Sequence, residues 1–130
     1  MTEPILSIRD AVKRYGDVAA LDRVTLDVAE GEFLTLLGPS GSGKTTLLTA
    51  IAGFTRLTEG RIALRGRDIS ALPPEKRGFG MVFQGYALFP SMSVAQNIGF
   101  PLKVRGMNKA DIAARVAECL DLVQMTAFAD

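Results

Sequence analysis

Between two apolar runs the chain carries LLGPSGSGKTTLL, Leu36 to Leu48, with three glycines, two serines and a lysine in the middle. A stretch this polar and flexible, set where a core strand should meet a core helix, constrains the fold more than any other feature. Gly38-Pro39-Ser40-Gly41-Ser42-Gly43-Lys44-Thr45 matches the G-x-x-x-x-G-K-[ST] pattern at every position. A triphosphate is a dense anion, and binding it takes several donors converging from a backbone that can come close. Glycines at 41 and 43 lack the Cβ that would hold the chain away. The backbone N–H groups of Ser40 to Thr45 then form a concavity facing the phosphates. A helix opening near Lys44 adds its positive end. In this reading Lys44 reaches the β- and γ-phosphates, the Thr45 hydroxyl ligates Mg²⁺, and Thr46 donates to a phosphate oxygen. The plain alternative is a glycine-rich turn. The preceding apolar strand and following helix favour the phosphate site.

Composition narrows the remaining classes. With 130 residues, 48% hydrophobic and 22% charged, the chain is globular and long enough for a real core. A net charge of +1 gives no electrostatic footprint for nucleic acid. No apolar run approaches the roughly 18 residues of a membrane span, and MTEPILSIRD is not a secretory signal. One cysteine, Cys119, and no histidine exclude an internal disulfide and a typical structural zinc site. The mean hydropathy of +0.21 suggests surface meant to be covered by a partner.

Along the chain, Leu6 and Ile8 alternate with Ser7 and Arg9, and Val24, Leu26 and Val28 alternate with Thr25 and Asp27, as half-buried strands do. FLTLL, Phe33 to Leu37, and GMVFQ, Gly80 to Gln84, read as strands buried on both faces of a parallel sheet. RIALR, Arg61 to Arg65, reads as an edge strand. Helices are predicted over Lys44–Ala52, stopped by Gly53, then from near Val94, and from Asn108 as N-cap to about Gln124. The last carries Ile112, Val116, Cys119 and Val123 on one face and an Asp111–Arg115 i,i+4 pair. This order implies an α/β fold with an antiparallel flank.

RYGDVAALDRVTLDVAEGEFLTLLGPSGSGKTT, LTEGRIALRGRDI and GMVFQGYALFPSMSVAQNI together resemble the nucleotide-binding subunit of ATP-binding-cassette (ABC) transporters, the bacterial importers in particular. The resemblance covers essentially the whole chain. It implies a P-loop NTPase (RecA-like) core, with an antiparallel β flank over 1–30 and 60–66. The core would occupy 31–59 and 78–85, and a helical subdomain would begin over 86–130. It implies ATP and Mg²⁺ as cofactors, held by Gly38, Pro39, Ser40, Gly41, Ser42, Gly43, Lys44, Thr45 and Thr46. Tyr15 matches the aromatic residue that stacks on adenine, against the bland reading of a tyrosine in a strand turn. Gln84 matches the glutamine that touches Mg²⁺ and the attacking water, against an ordinary strand-end glutamine. Lys44 and Gln84 are thus the residues implied in catalysis. Tyr86 and Phe89 lie where the family docks its transmembrane permease, and packing beneath the loop is an equal alternative. Partners implied are the permease and a second copy of the subunit, head to tail, on the cytoplasmic face of the membrane. No nucleic acid is implied.

Asn-Lys-Ala-Asp, 108–111, mimics a guanine-binding signature, but it opens an amphipathic helix, and capping explains it better. Downstream of the loop there is no apolar strand followed by Asp-Glu and no LSGGQ, and the chain contains no histidine. The expectation is the N-terminal portion of a longer ATPase subunit, able to bind Mg-ATP and without turnover of its own. A nucleotide-binding module, or another P-loop enzyme or kinase, is the alternative.

Overall fold

The alternation at the N-terminus becomes a central strand. In the computed structural model, which describes residues 3–130, β1 (Leu6–Tyr15) pairs antiparallel with β2 (Val18–Val28) on one edge and β3 (Glu59–Leu64) on the other. Met1 and Thr2, the start of the flank expected over 1–30, lie outside the described residues. The register places Ile8 opposite both Leu26 and Ile62. Ile8 and Ile62 are essentially fully buried, and with Ala11 and Leu21 they form the inner face of the sheet. Against that face packs α1 (Lys44–Ala52) through Leu47 and Ala50. The opposite face is polar, as alternation requires. There Arg9 pairs with Asp27 at 2.7 Å, and its guanidinium pulls the Asp27 carboxyl below its usual pKa.

The sheet order is β2-β1-β3-β4, with β4 (Arg67–Asp68) on the outer edge. The strand expected at the edge therefore lies inside. Arg65 and Gly66 both have positive φ, 47° and 74°, which turns the chain straight back in a tight hairpin. The added strand is two residues long, too short to leave an alternating pattern.

A second correction concerns FLTLL and GMVFQ. Residues 33–37 and 80–84 belong to no strand among the described residues. Phe33 is 94% exposed, Leu37 89% and Val82 100%. Their apolar runs suit strands flanked on both edges and covered on both faces. Without a ladder of neighbouring N–H and C=O groups, strand-like side chains alone do not make a strand.

The structure divides at Met81, and residues 82–130 form a separate compact unit. In it α2 (Val94–Val104) begins with a complete capping box, with the Ser93 hydroxyl accepting from Gln96 N and the Gln96 side chain accepting from Ser93 N. The Asn97 amide accepts from Phe89 N and donates to the carbonyls of Phe89 and Met92, so it ties the preceding loop to the helix. α3 (Lys109–Leu122) is capped by Asn108, whose Oδ1 accepts from Asp111 N at 2.9 Å. Val116 and Leu120 are its buried residues. Val123 falls beyond its last turn and is 57% exposed. The expected Asp111–Arg115 pair does not form. Asp111 accepts from the Asn108 side chain at 2.6 Å, and Arg115 turns the other way to Glu118 at 2.7 Å. Of the two loop aromatics, Phe89 packs on Phe100 with ring centroids 4.7 Å apart, whereas Tyr86 is 84% exposed.

Candidate nucleotide site

The glycine loop and the start of α1 enclose a cavity of about 310 Å³, lined by residues 40–46 and by Ala20 of β2. Gly43 is the N-cap of α1 and supplies no side-chain cap. The first hydrogen bond of the helix runs from Leu47 N to the Gly43 carbonyl at 2.9 Å. The N–H groups of Lys44, Thr45 and Thr46 thus have no acceptor within the helix. No acidic residue stands in that first turn to satisfy them. Three donors with no acceptor among the described residues and the positive end of a helix dipole border one cavity, which is the electrostatic requirement for holding an anion.

Close approach makes Gly43 obligatory. Its φ is 89°, and a Cβ there would run into the backbone carbonyl of Ala20. The loop is pressed against β2, so the rigid sheet sets the shape of the cradle. Ala20 carries no motif. Its part follows from strand pairing and was missed in the sequence.

Lys44 folds back across the loop. Its ammonium donates to the carbonyls of Gly38 at 2.8 Å and Pro39 at 2.7 Å, and to the Ser42 hydroxyl at 3.0 Å. Gly38 and Pro39 join the site through these carbonyls. Thr45 and Thr46 line the cavity, and their own carbonyls both accept from the Thr49 hydroxyl, which ties down the first turn. A triphosphate fits this donor set, which consists of backbone N–H groups, one ammonium and hydroxyls, with no carboxylate facing in. Ser40, Ser42, Thr45 and Thr46 bring hydroxyl oxygens to the lining, the kind of ligand a hard cation such as Mg²⁺ takes.

Tyr15 is the last residue of β1, 55% exposed, and the Lys13 ammonium sits 4.9 Å from its ring centroid. It is not among the residues lining the cavity. Gln84 lies in a turn of the second unit. The structure gathers Ser40 to Thr46 into one site, while Gln84 belongs to the second unit and is described there by itself. No helix among the described residues is long and apolar enough to cross a membrane.

Comparison with known proteins gives the family and the fold. The family model described as ABC transporter matches residues 21–130. A spermidine/putrescine import ATP-binding protein, PotA, of Pseudomonas aeruginosa is 54% identical over 125 residues, covering 96% of this chain and 34% of its own. The protein of the same name from Mesorhizobium japonicum is 61% identical over 114 residues, 88% of this chain and 31% of its own. The chain thus spans about a third of the length of these curated relatives. Among solved structures, the ATP-binding cassette MJ0796, in a post-hydrolysis dimer bound to ADP and Pi, superposes with a TM-score of 0.84. It is 30% identical, over 95% of this chain and 60% of that one. The cassette MJ1267 superposes with a TM-score of 0.82 at 28% identity. The fold is that of a P-loop cassette in part, and the chain belongs to the ABC transporter family.

Proposed function

We propose that this chain is the ATP-binding portion of the ATP-hydrolysing motor subunit of an ABC importer. The observation that carries the reading is the uncapped start of α1, where three N–H groups with no acceptor among the described residues border a cavity formed by residues 40–46. Ser40 to Thr46 would hold the phosphates, Thr45 and Gln84 the Mg²⁺, and Tyr15 the adenine. Bound Mg²⁺ would neutralise charge on the phosphates. Lys44 would exchange its bonds to Gly38, Pro39 and Ser42 for phosphate oxygens, trading neutral acceptors for charged ones. Gln84 would orient water without adding charge.

The chain lacks an Asp-Glu strand end after the loop, an LSGGQ and any histidine. Phosphoryl transfer to water needs several groups positioned at once. The chain by itself would therefore bind Mg-ATP without turnover. In the whole protein, a second copy and a transmembrane permease would complete the motor, on the cytoplasmic face of the membrane. The relatives are named for spermidine/putrescine import, so a polyamine is the first cargo to test.

A fluorescent ATP analogue with Mg²⁺ tests the reading. Lys44→Ala should weaken binding about 10- to 100-fold, the loss of a charge-assisted contact. Tyr15→Ala should weaken it only several-fold, the loss of one stacking face at about 1 kcal/mol. Equal affinity in all three proteins would show that the cradle is misassigned. Phosphate release by the chain above that of Lys44→Ala would refute the absence of turnover.

A further inference from the structure

Arg77 is the buried polar residue of the described core, 5% exposed. All its acceptors are neutral carbonyls. Nε donates to Leu72 O at 2.7 Å, Nη1 to Ala50 O at 2.8 Å and Ile51 O at 2.9 Å, and Nη2 to Ser70 O at 3.0 Å. Among the described residues no carboxylate forms an ion pair with it, and Asp68 acts on it only from farther away. A buried cation without an ion-pair partner is uncommon and needs full hydrogen bonding to persist. Here every acceptor is backbone, and two belong to the last turn of α1, the helix whose first turn forms the phosphate cavity.

The geometry has a direction. α1 is nine residues long, about 13 Å at the usual rise. A helix that short is marginal without tertiary support. Its N-terminus has no cap, and Leu47, Ala50 and Ala52 are its only buried side chains. At the C-terminus Gly53 leaves room for the guanidinium, since a Cβ there would lie 2.7 Å from Arg77 Nε. The planar fork thus rivets the end of α1 to loop 70–72 while its charge complements the negative end of the helix dipole.

We propose that Arg77 is a positioning residue for nucleotide binding. By clamping the C-terminal turn of α1 to residues 70–72, it holds the opposite, uncapped end in register with the phosphates. This rests on the phosphate-cradle reading above. Lysine cannot substitute, because a single ammonium with three donors cannot span four carbonyls fixed around a flat group.

The test compares Arg77→Lys with Val116→Ala, a core change on α3 of the second unit, both measured well below their melting transitions. Arg77→Lys should bind Mg-ATP about five- to tenfold more weakly, the low end of coupling between linked sites. Val116→Ala should lower the melting temperature and leave affinity unchanged. In the unaltered chain the Arg77 Nε–H resonance should shift on addition of Mg-ATP, and should not shift in Lys44→Ala. That measurement decides the matter if Arg77→Lys does not fold. Wild-type affinity in a folded Arg77→Lys, or an unmoved Nε–H signal in a chain that binds Mg-ATP, would overturn the proposal alone. A chain that binds no Mg-ATP would overturn the cradle reading, and the proposal with it.

Discussion

Ser93 and Asn108 each turn a side-chain oxygen onto the helix that follows, whereas Gly43 turns none onto its own. In α2 and α3 the cap satisfies one first-turn donor, Gln96 N and Asp111 N respectively. α1 leaves its donors open and spends Gly43 on closeness to Ala20 instead. A self-capped N-terminus is a finished piece of structure. An uncapped one, facing a cavity, is half of an interaction whose other half must be negative. The contrast separates the binding helix from the scaffold helices without reference to any motif.

The sharpest way to break this contrast is to give α1 the cap its neighbours have. Gly43→Asp places a carboxylate over the first turn and a Cβ against Ala20. Mg-ATP binding by fluorescence should fall at least about 100-fold, since repulsion adds to the lost approach. Gly43→Ala isolates the steric part. At φ 89° and against a backbone carbonyl it should cost about 2–3 kcal/mol of stability in urea unfolding. The reverse experiment strips the caps from the scaffold helices. Ser93→Ala and Asn108→Ala should each cost about 1 kcal/mol and leave nucleotide affinity unchanged. A loss of affinity there would dissolve the distinction between the two kinds of helix start.

Acidification gives the smallest effect. Asp68 is held below its ordinary pKa mainly by the Ser70 hydroxyl and also by its amide, and Asp27 mainly by hydrogen bonding to Arg9. Folded values below unfolded ones mean that this stabilisation is present above the unfolded carboxylate range and fades as pH falls through the folded values. The urea midpoint should therefore decline slightly below about pH 4, and Asp68→Asn should flatten that decline.

Local chemistry was readable in the residues, and pairing was not. The extent of α1 follows from the glycine loop before it and Gly53 after it, and the Asn108 cap follows from its place ahead of an apolar face. Contacts made across the chain leave no such trace. Nothing near Ala20 announces that its carbonyl will meet Gly43, and nothing near Arg77 announces the carbonyls of Ala50 and Ile51. Phe33 to Leu37 shows the converse: its composition is strand-like, but a strand exists only through its neighbours.

The placement of β1 carries a consequence for how the molecule is made. It bonds to β2, two residues away along the chain, and to β3, whose approach is fastened by Thr58 N donating to Val12 O at 2.7 Å. Residues 29–58, glycine loop included, are thus an excursion closed only when β3 zips onto β1. On a ribosome the hairpin of β1 and β2 can form early, but the ring waits for residues emerging much later, and distant closures of this kind are the slow ones. During synthesis the loop is therefore complete as sequence well before the sheet that shapes it is complete as structure.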